Sequence, residues 1–168
     1  PESVTSIGET AFYKCSTISS IVIPNSVTSI GRAAFQDCSS LISIDIPDSV
    51  KKMEHETFFR CTSLTSVTIG DGLTSIPSEA FLECSSLTSV KIGDGVTSIG
   101  HYAFELCSSL TSLSLGKKVA SIGYLAFYKC DSLKECYCYA TRPPSINAGD
   151  YPSFPKYGNQ TILYVPLR

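Results

Sequence analysis

A repeat of 23 residues runs through most of this chain and constrains its fold more than any other feature. Cysteine recurs at that interval six times, and a phenylalanine stands three residues before each of these cysteines. The pairs are Phe12 and Cys15, Phe35 and Cys38, Phe58 and Cys61, Phe81 and Cys84, Phe104 and Cys107, and Phe127 and Cys130. A fixed period of this length is typical of a solenoid, in which each unit packs only against its neighbours.

Each repeat contains the signals of short extended segments joined by turns. In residues 89–92 apolar and polar residues alternate, which is the pattern of a half-buried strand. Residues 93–95 read Gly-Asp-Gly and favour a turn, and residues 96–99 form a second extended piece too short for a helix. The spacing of apolar residues in 103–107 predicts one helical or 3₁₀ turn. One repeat cannot bury its apolar side chains alone, so the repeats must stack.

The repeat is similar to a known family. Residues 87–110 read LTSVKIGDGVTSIGHYAFELCSSL, and this pattern closely resembles the BspA-like leucine-rich repeat of the Treponema type, with phenylalanine and cysteine at the diagnostic positions. The resemblance implies an α/β-type repeat solenoid that is curved and right-handed. A parallel β-sheet of short strands would line the concave side, with helical or 3₁₀ turns on the other side. It also implies a secreted or surface protein of Bacteroides-like bacteria and no catalytic residues.

The repeats and the segment after them divide the chain in two. Six leucine-rich repeats are expected at residues 1–23, 24–46, 47–69, 70–92, 93–115 and 116–138. Residues 139–168 leave the period and contain five prolines, so we expect an irregular cap that ends in an edge strand over 161–165. Pro1 enters the first repeat with no polar lid before it, and we therefore expect the chain to be part of a longer repeat array.

One outward column of the strands is the candidate binding surface. Within the repeats, Val22, Asp45, Thr68, Lys91, Ser114 and Tyr137 occupy equivalent positions. This column is chemically varied, whereas the two columns beside it are nearly uniform serine and threonine, which favours a structural role for them. We therefore predict that Asp45, Thr68, Lys91, Ser114 and Tyr137 bind a ligand. Surface variation without function is the alternative interpretation.

A second column follows the buried phenylalanines on the other flank. Its members are Tyr13, Gln36, Phe59, Leu82, Glu105 and Tyr128. These large side chains are expected to cover the phenylalanine and cysteine layer. The alternative is an exposed aromatic patch that docks a partner.

Metal and enzyme sites have weaker support in the sequence. Asp48, Asp71 and Asp94 recur in the turns and could supply oxygen ligands to calcium, but aspartate is also the ordinary residue of such turns. His55 and His101 stand two repeats apart, with no acidic or nucleophilic partner implied by their spacing. We expect no metal, no cofactor and no catalytic residue.

The eight cysteines suggest a disulfide framework until the repeat is considered. Equivalent cysteines of stacked repeats start from parallel β-carbons about 4.8 Å apart, farther than a disulfide prefers. Cys136 and Cys138 stand at aliphatic core positions of the last repeat, so both are expected to face inward. We therefore predict that all the cysteines are free thiols that pack as small apolar residues.

Charge and hydropathy exclude two classes of partner. The net charge is −2 with 17% charged residues and no basic cluster, which argues against nucleic-acid binding. No apolar run reaches the roughly 18 residues that a membrane span needs. The resemblance implies a secreted or cell-surface, non-catalytic domain that mediates adhesion through a protein partner, such as a host surface or matrix protein. A structural spacer and an accessory glycan-binding module are the alternatives.

Overall fold

A computed structural model describes residues 3–146, 153–154 and 161–164 of the chain, the last four as backbone only. Within these residues the protein is a parallel β-solenoid, and no helix is present. In chain order the strands are β1 (Ser6–Ile7), β2 (Ser29–Ile30), β3 (Ser43–Ile46), β4 (Lys52–Met53), β5 (Ser66–Ile69), β6 (Ser75–Ile76), β7 (Ser89–Ile92), β8 (Ser98–Ile99), β9 (Ser112–Leu115), β10 (Ser121–Ile122), β11 (Glu135–Cys138), β12 (Ser145–Ile146) and β13 (Thr161–Tyr164).

The four-residue strands form one sheet in the order β13-β11-β9-β7-β5-β3. Neighbouring strands are parallel, and from β3 to β11 each residue pairs with its equivalent in the next repeat, as Ser43 does with Ser66. The two-residue strands form two smaller parallel sheets, β1-β2-β4 and β12-β10-β8-β6. The repeat period therefore sets the register of the sheets within the six repeats, and each repeat contributes one coil of the solenoid.

The core consists of columns of equivalent residues, one from each coil. The phenylalanine column is a continuous stack from Phe12 to Phe127, with ring centroids 5.0–5.2 Å apart and ring planes within 5° of parallel. From Phe35 to Phe127 these rings are at most 1% exposed, whereas Phe12 is only partly buried. Stacked aromatic rings stabilise one another beyond the area that they bury. The stack therefore ties every coil to its two neighbours.

The segment before each cysteine is a non-helical turn, which corrects the expectation of helical or 3₁₀ turns. In each repeat two residues four apart have φ between 52° and 62°, for example Tyr102 and Leu106. A right-handed helix cannot continue through residues in this left-handed region. The amides of alternate residues then donate to the next coil, as the Phe104 amide does to the Ala126 carbonyl at 2.8 Å. Hydrogen bonding between coils replaces hydrogen bonding within a helix.

The cysteine column is held by hydrogen bonds between coils. The thiols of Cys38, Cys61, Cys84, Cys107 and Cys130 each donate to the carbonyl of the phenylalanine 26 residues earlier, at 3.1–3.3 Å. All eight cysteines are free, and all except Cys15 are buried. Burial raises the pKa of the Cys84 and Cys136 thiols to about 12. The cysteines are therefore free thiols that pack as core residues, as the repeat predicts. The sequence does not reveal that these thiols also donate hydrogen bonds.

Residues after 138 continue the solenoid as a seventh coil, in the parts that the structure describes. β12 pairs with β10, β13 pairs with β11, and the Phe154 ring stacks on Phe127 with 5.0 Å between centroids. The spacing to the preceding coil is no longer constant, because Ser121 pairs with Ser145 but Glu135 pairs with Thr161. The Phe127 amide donates to the carbonyl of Ser153, which is fully buried. The described part of this coil thus covers the Phe127 ring at the end of the sixth repeat.

Candidate functional site

The five predicted binding residues lie side by side on the outer face of the large sheet. The strand register pairs Asp45 with Thr68, Thr68 with Lys91, Lys91 with Ser114 and Ser114 with Tyr137. Asp45, Thr68 and Lys91 are exposed, and Ser114 and Tyr137 are half-buried. Adjacent strands lie about 4.8 Å apart, so one partner segment could reach several members of this column. We call these five residues the sheet column.

Tyr137, at one end of the sheet column, has a fixed side chain. Its hydroxyl donates a hydrogen bond to the Glu135 carboxylate at 3.1 Å. This hydrogen bond and the negative charge of Glu135 raise the pKa of the Tyr137 hydroxyl. The ring therefore stays neutral at physiological pH and presents an apolar face beside a carboxylate.

The threonine column beside the sheet column is engaged in hydrogen bonds of the fold itself. The Thr88 hydroxyl donates to the Thr65 carbonyl at 2.9 Å, and the Thr111 hydroxyl donates to the Thr88 carbonyl at 3.0 Å. Each threonine thus links its own coil to the preceding one. This agrees with the interpretation that the threonine column is structural.

A groove extends the sheet column toward the turns. It has a volume of about 470 Å³, and Lys91 and Ser114 contribute to its walls together with Asp94, Lys117 and Tyr139. The Lys117 ammonium pairs with the Asp94 carboxylate at 2.6 Å, and this contact lowers the pKa of Asp94. The sequence prediction included Lys91 and Ser114 but missed Lys117 and Tyr139, because these two residues follow the strands rather than lie on them.

A second groove of about 580 Å³ adjoins the first and shares Lys117 with it. Lys118 and Arg142 line this groove, and both are exposed. No signal from the repeat pattern marks Arg142, because it lies beyond the last regular repeat. The change from aspartate to lysine at position 117 of the turn column is the one sequence signal that points here.

The aspartates of the turns serve the turns. The Asp48 carboxylate accepts a hydrogen bond from the Asp71 amide at 2.6 Å, and the Asp71 carboxylate accepts one from the Asp94 amide at 2.7 Å. Over the described ranges, no group of three metal-ligating side chains could hold a metal ion. The geometry therefore favours turn formation over the calcium interpretation of these residues.

The column on the other flank is mostly half-buried. Tyr13 is 42% exposed, whereas Phe59, Leu82 and Tyr128 are half-buried over the phenylalanine layer. Nearby, the His101 ring accepts a hydrogen bond at Nδ1 from the Tyr124 amide at 2.8 Å. This agrees with the interpretation that the column covers the core rather than forming an open aromatic patch.

Comparison with known proteins shows that the chain matches one family model and several solved structures. A family model described as "BspA type Leucine rich repeat region" matches in six copies, over residues 1–94 and 74–148. None of the curated proteins compared with the chain matches it. In the part of the chain that the structure describes, no helix is long and apolar enough to cross a membrane.

Three solved structures are similar to the chain. A leucine-rich repeat protein of Treponema pallidum is 32% identical with a TM-score of 0.76, and the match covers 79% of this chain and 62% of that one. A leucine-rich cell surface protein of Faecalibacterium prausnitzii is 36% identical with a TM-score of 0.75 over 90% of this chain and 40% of that one. A leucine-rich repeat protein of Bacteroides ovatus is 24% identical with a TM-score of 0.61, and the match covers 98% of this chain and 52% of that one. At this identity the match supports the fold alone. The chain spans less than two thirds of the length of each.

Proposed function

Because the chain belongs to the BspA-type leucine-rich repeat family, we propose that it is a non-catalytic adhesion domain that binds a protein partner through the sheet column. Leucine-rich repeat domains are generally non-catalytic and typically mediate protein interactions. The observation that carries the proposal is the register of the large sheet, which places Asp45, Thr68, Lys91, Ser114 and Tyr137 in one row on its outer face.

The proposal includes an extracellular location. Display on the bacterial surface or secretion is supported by the F. prausnitzii relative, which is described as a cell surface protein. A surface or matrix protein of a host is the class of partner that we propose. The six repeats of residues 1–138 would supply the binding face, and residues 139–168 would form the cap of the stack.

The chemistry of the sheet column suits a protein partner. It offers one anion, one cation, two hydroxyls and one aromatic ring, which can pair with opposite charges and pack against apolar groups. Charge pairs at such a surface set orientation and specificity more than affinity. Tyrosine is among the residues that contribute most when an interface buries them. Tyr137 is therefore expected to contribute most of the binding energy.

A structural spacer is the second candidate. The serine and threonine columns and the continuous phenylalanine stack are equally suited to a stiff connector that holds another domain away from the cell. A spacer would bind none of the partners through the sheet column. A measurement of partner binding by the sheet column therefore distinguishes the two functions.

The test is capture of candidate host surface and matrix proteins on the immobilised chain. We expect the triple variant Asp45→Ala, Lys91→Ala, Tyr137→Ala to weaken binding by at least about tenfold. The matched control is Glu9→Ala, Lys129→Ala, Tyr13→Ala, which likewise removes one carboxylate, one lysine and one tyrosine, but from the opposite side of the coils, and should change binding by less than about twofold. Equal binding by wild type and the first variant would exclude the sheet column, and no binding to any candidate would favour the spacer.

A further inference from the structure

The two grooves at the end of the sheet contain a local reversal of charge. The turn position of Lys117 is occupied by Asn25, Asp48, Asp71 and Asp94 in the earlier repeats, so the sign changes from negative to positive at the sixth. The next position changes as well. It holds Ser26, Ser49, Gly72 and Gly95 in the earlier repeats but Lys118 in the sixth. The end of the solenoid is therefore basic, although the chain as a whole has a net charge of −2.

The seventh coil places a further cation beside Lys118. Ser121 pairs with Ser145 between β10 and β12, and Lys118 and Arg142 each stand three residues before these serines. Lys118 and Arg142 thus precede the paired strands by the same number of residues, and both line the second groove. Like charges that share a groove repel each other, and an anion bound between them would remove that repulsion.

The Asp94 carboxylate is paired directly with Lys117, and the charge of Lys118 acts on it only at longer range. Asp94 is engaged by the Lys117 ammonium at 2.6 Å and by the Lys117 amide at 3.0 Å. Among the residues that the structure describes, neither Lys118 nor Arg142 has an ion-pair or hydrogen-bond partner. Lys91, across the first groove, is also exposed and has no such partner there. The grooves therefore present three available cations.

The walls of the second groove include exposed apolar residues. Ala120 and Pro143 are exposed there, beside the polar side chains of Thr97, Thr141 and Ser145. An acidic peptide can place carboxylates on the cations and apolar side chains against these walls. A sulfated glycan has charges but no apolar side chains. Asp71 and Asp94 also line the first groove, which favours the second groove as the place where the carboxylates of the peptide bind.

We propose that the grooves lined by Lys91, Lys118 and Arg142 bind an extended acidic segment of a partner protein, with carboxylates alternating with apolar residues. This inference rests on the proposed function and names the chemistry of the partner. Contact with the cations would fix the direction of the segment, and its continuation would pass across the sheet column at Ser114 and Lys91.

The test measures the binding of a fluorescent twelve-residue peptide, Glu-Leu-Glu-Ser repeated three times, by anisotropy. The same peptide with glutamine in place of glutamate is the reference. We expect the glutamate peptide to bind at least about tenfold more tightly, and to weaken at least about fivefold between 50 and 300 mM salt, because exposed charges are screened.

The charge-reversal variant Lys118→Glu, Arg142→Glu should lose at least about tenfold in affinity for the glutamate peptide. Its control, Lys129→Glu, Lys134→Glu, makes the same change of charge at two exposed lysines of the sixth repeat outside the grooves and should lose less than about twofold. Circular dichroism melting of both variants is the check that each is folded. Equal binding of the two peptides, or an unchanged affinity in the reversal variant, would overturn the inference.

Three further outcomes distinguish a failure of this inference from a failure of the proposed function. A heparin hexasaccharide that binds more tightly than the glutamate peptide, and is lost in the reversal variant, would overturn the assignment to a peptide. A host protein that is captured equally by wild type and by the reversal variant would overturn this inference and leave the proposed function standing. Loss of that capture in the reversal variant, but not in its control, would support both.

Discussion

The thiol of Cys84 donates a hydrogen bond to the carbonyl oxygen of Phe58 in the preceding coil, with 3.2 Å between sulfur and oxygen. The same carbonyl accepts the amide of Cys61 at 3.3 Å. Each cysteine of the column therefore joins its own coil to the phenylalanine turn of the previous one. The constant spacing of phenylalanine and cysteine in the repeats thus reflects one contact that recurs from coil to coil.

Replacement of Cys84 by alanine is expected to destabilise the protein by about 1–3 kcal/mol, because it removes a buried sulfur and a donor. The measurement is urea unfolding followed by circular dichroism. Cys15→Ala is the control, since Cys15 is only partly buried. An equal loss of stability in the two variants would show that the hydrogen bond and the burial contribute little.

The thiols of the folded protein are expected to react slowly. Deprotonation is needed for alkylation, and burial raises the pKa of Cys84 and Cys136 to about 12. Titration with a thiol reagent at pH 8 without reductant should label few cysteines in buffer and all eight in denaturant. A denatured count near zero would instead reveal disulfides.

Alkaline pH is expected to destabilise the fold through the same groups. Between about pH 9 and pH 12 the thiols of the unfolded chain lose protons that Cys84 and Cys136 keep in the folded state. The native state then binds more protons than the unfolded state, so the free energy of unfolding falls as pH rises. Urea unfolding at pH 8, 9 and 10 measures the slope. Cys84→Val should make it shallower, and an identical slope in this variant would contradict the assignment.

Truncation of a ring inside the phenylalanine stack should be costly. Phe81 is fully buried and stacks on Phe58 and Phe104, with centroids 5.2 and 5.0 Å away, so Phe81→Ala is expected to destabilise by about 3–5 kcal/mol. Phe12 is partly buried, and among the described residues it stacks only on Phe35. Phe12→Ala should therefore cost less than half as much in thermal or urea unfolding. A larger loss for Phe12 would contradict the role of the stack.

Close approach of neighbouring turns should make one glycine hard to replace. A β-carbon on Gly95 would lie 1.8 Å from the Asp71 carbonyl oxygen, so Gly95→Ala must displace backbone and is expected to destabilise by about 1–3 kcal/mol. Apart from its chain neighbours, no atom of the described residues lies within 4 Å of a β-carbon built on Gly8. Gly8→Ala is therefore the matched control, with little change expected in the unfolding midpoint. Equal midpoints for the two variants would show that the turn relaxes freely.

The sequence predicted the stacking of repeats because the same apolar residue types recur at equivalent positions. The inward columns, the buried Cys136 and Cys138 and the outward row from Asp45 to Tyr137 all follow from strand alternation. The backbone of the turns could not be predicted in this way. Tyr102 and Leu106 adopt the left-handed region although neither is glycine or asparagine, so composition gives no signal of it.

The grooves and the seventh coil were also beyond the sequence pattern. Phe154 continues the phenylalanine stack, but it lies 27 residues after Phe127 rather than 23. Insertions in this coil hide the equivalence of Lys118 and Arg142 until the pairing of β10 with β12 is known. A constant period reveals columns, and it cannot reveal residues that reach the same column through a longer loop.

The unequal spacing of the seventh coil has a consequence for folding. A coil that skips one repeat and pairs with the next but one would still bury the same residue types, so the six repeats are nearly degenerate partners for one another. The last coil is the one part of the described chain whose spacing fits a single neighbour, since β12 and β13 pair with the sixth repeat at offsets no other repeat shares. It therefore gives the stack one end whose register differs from that of every junction between repeats.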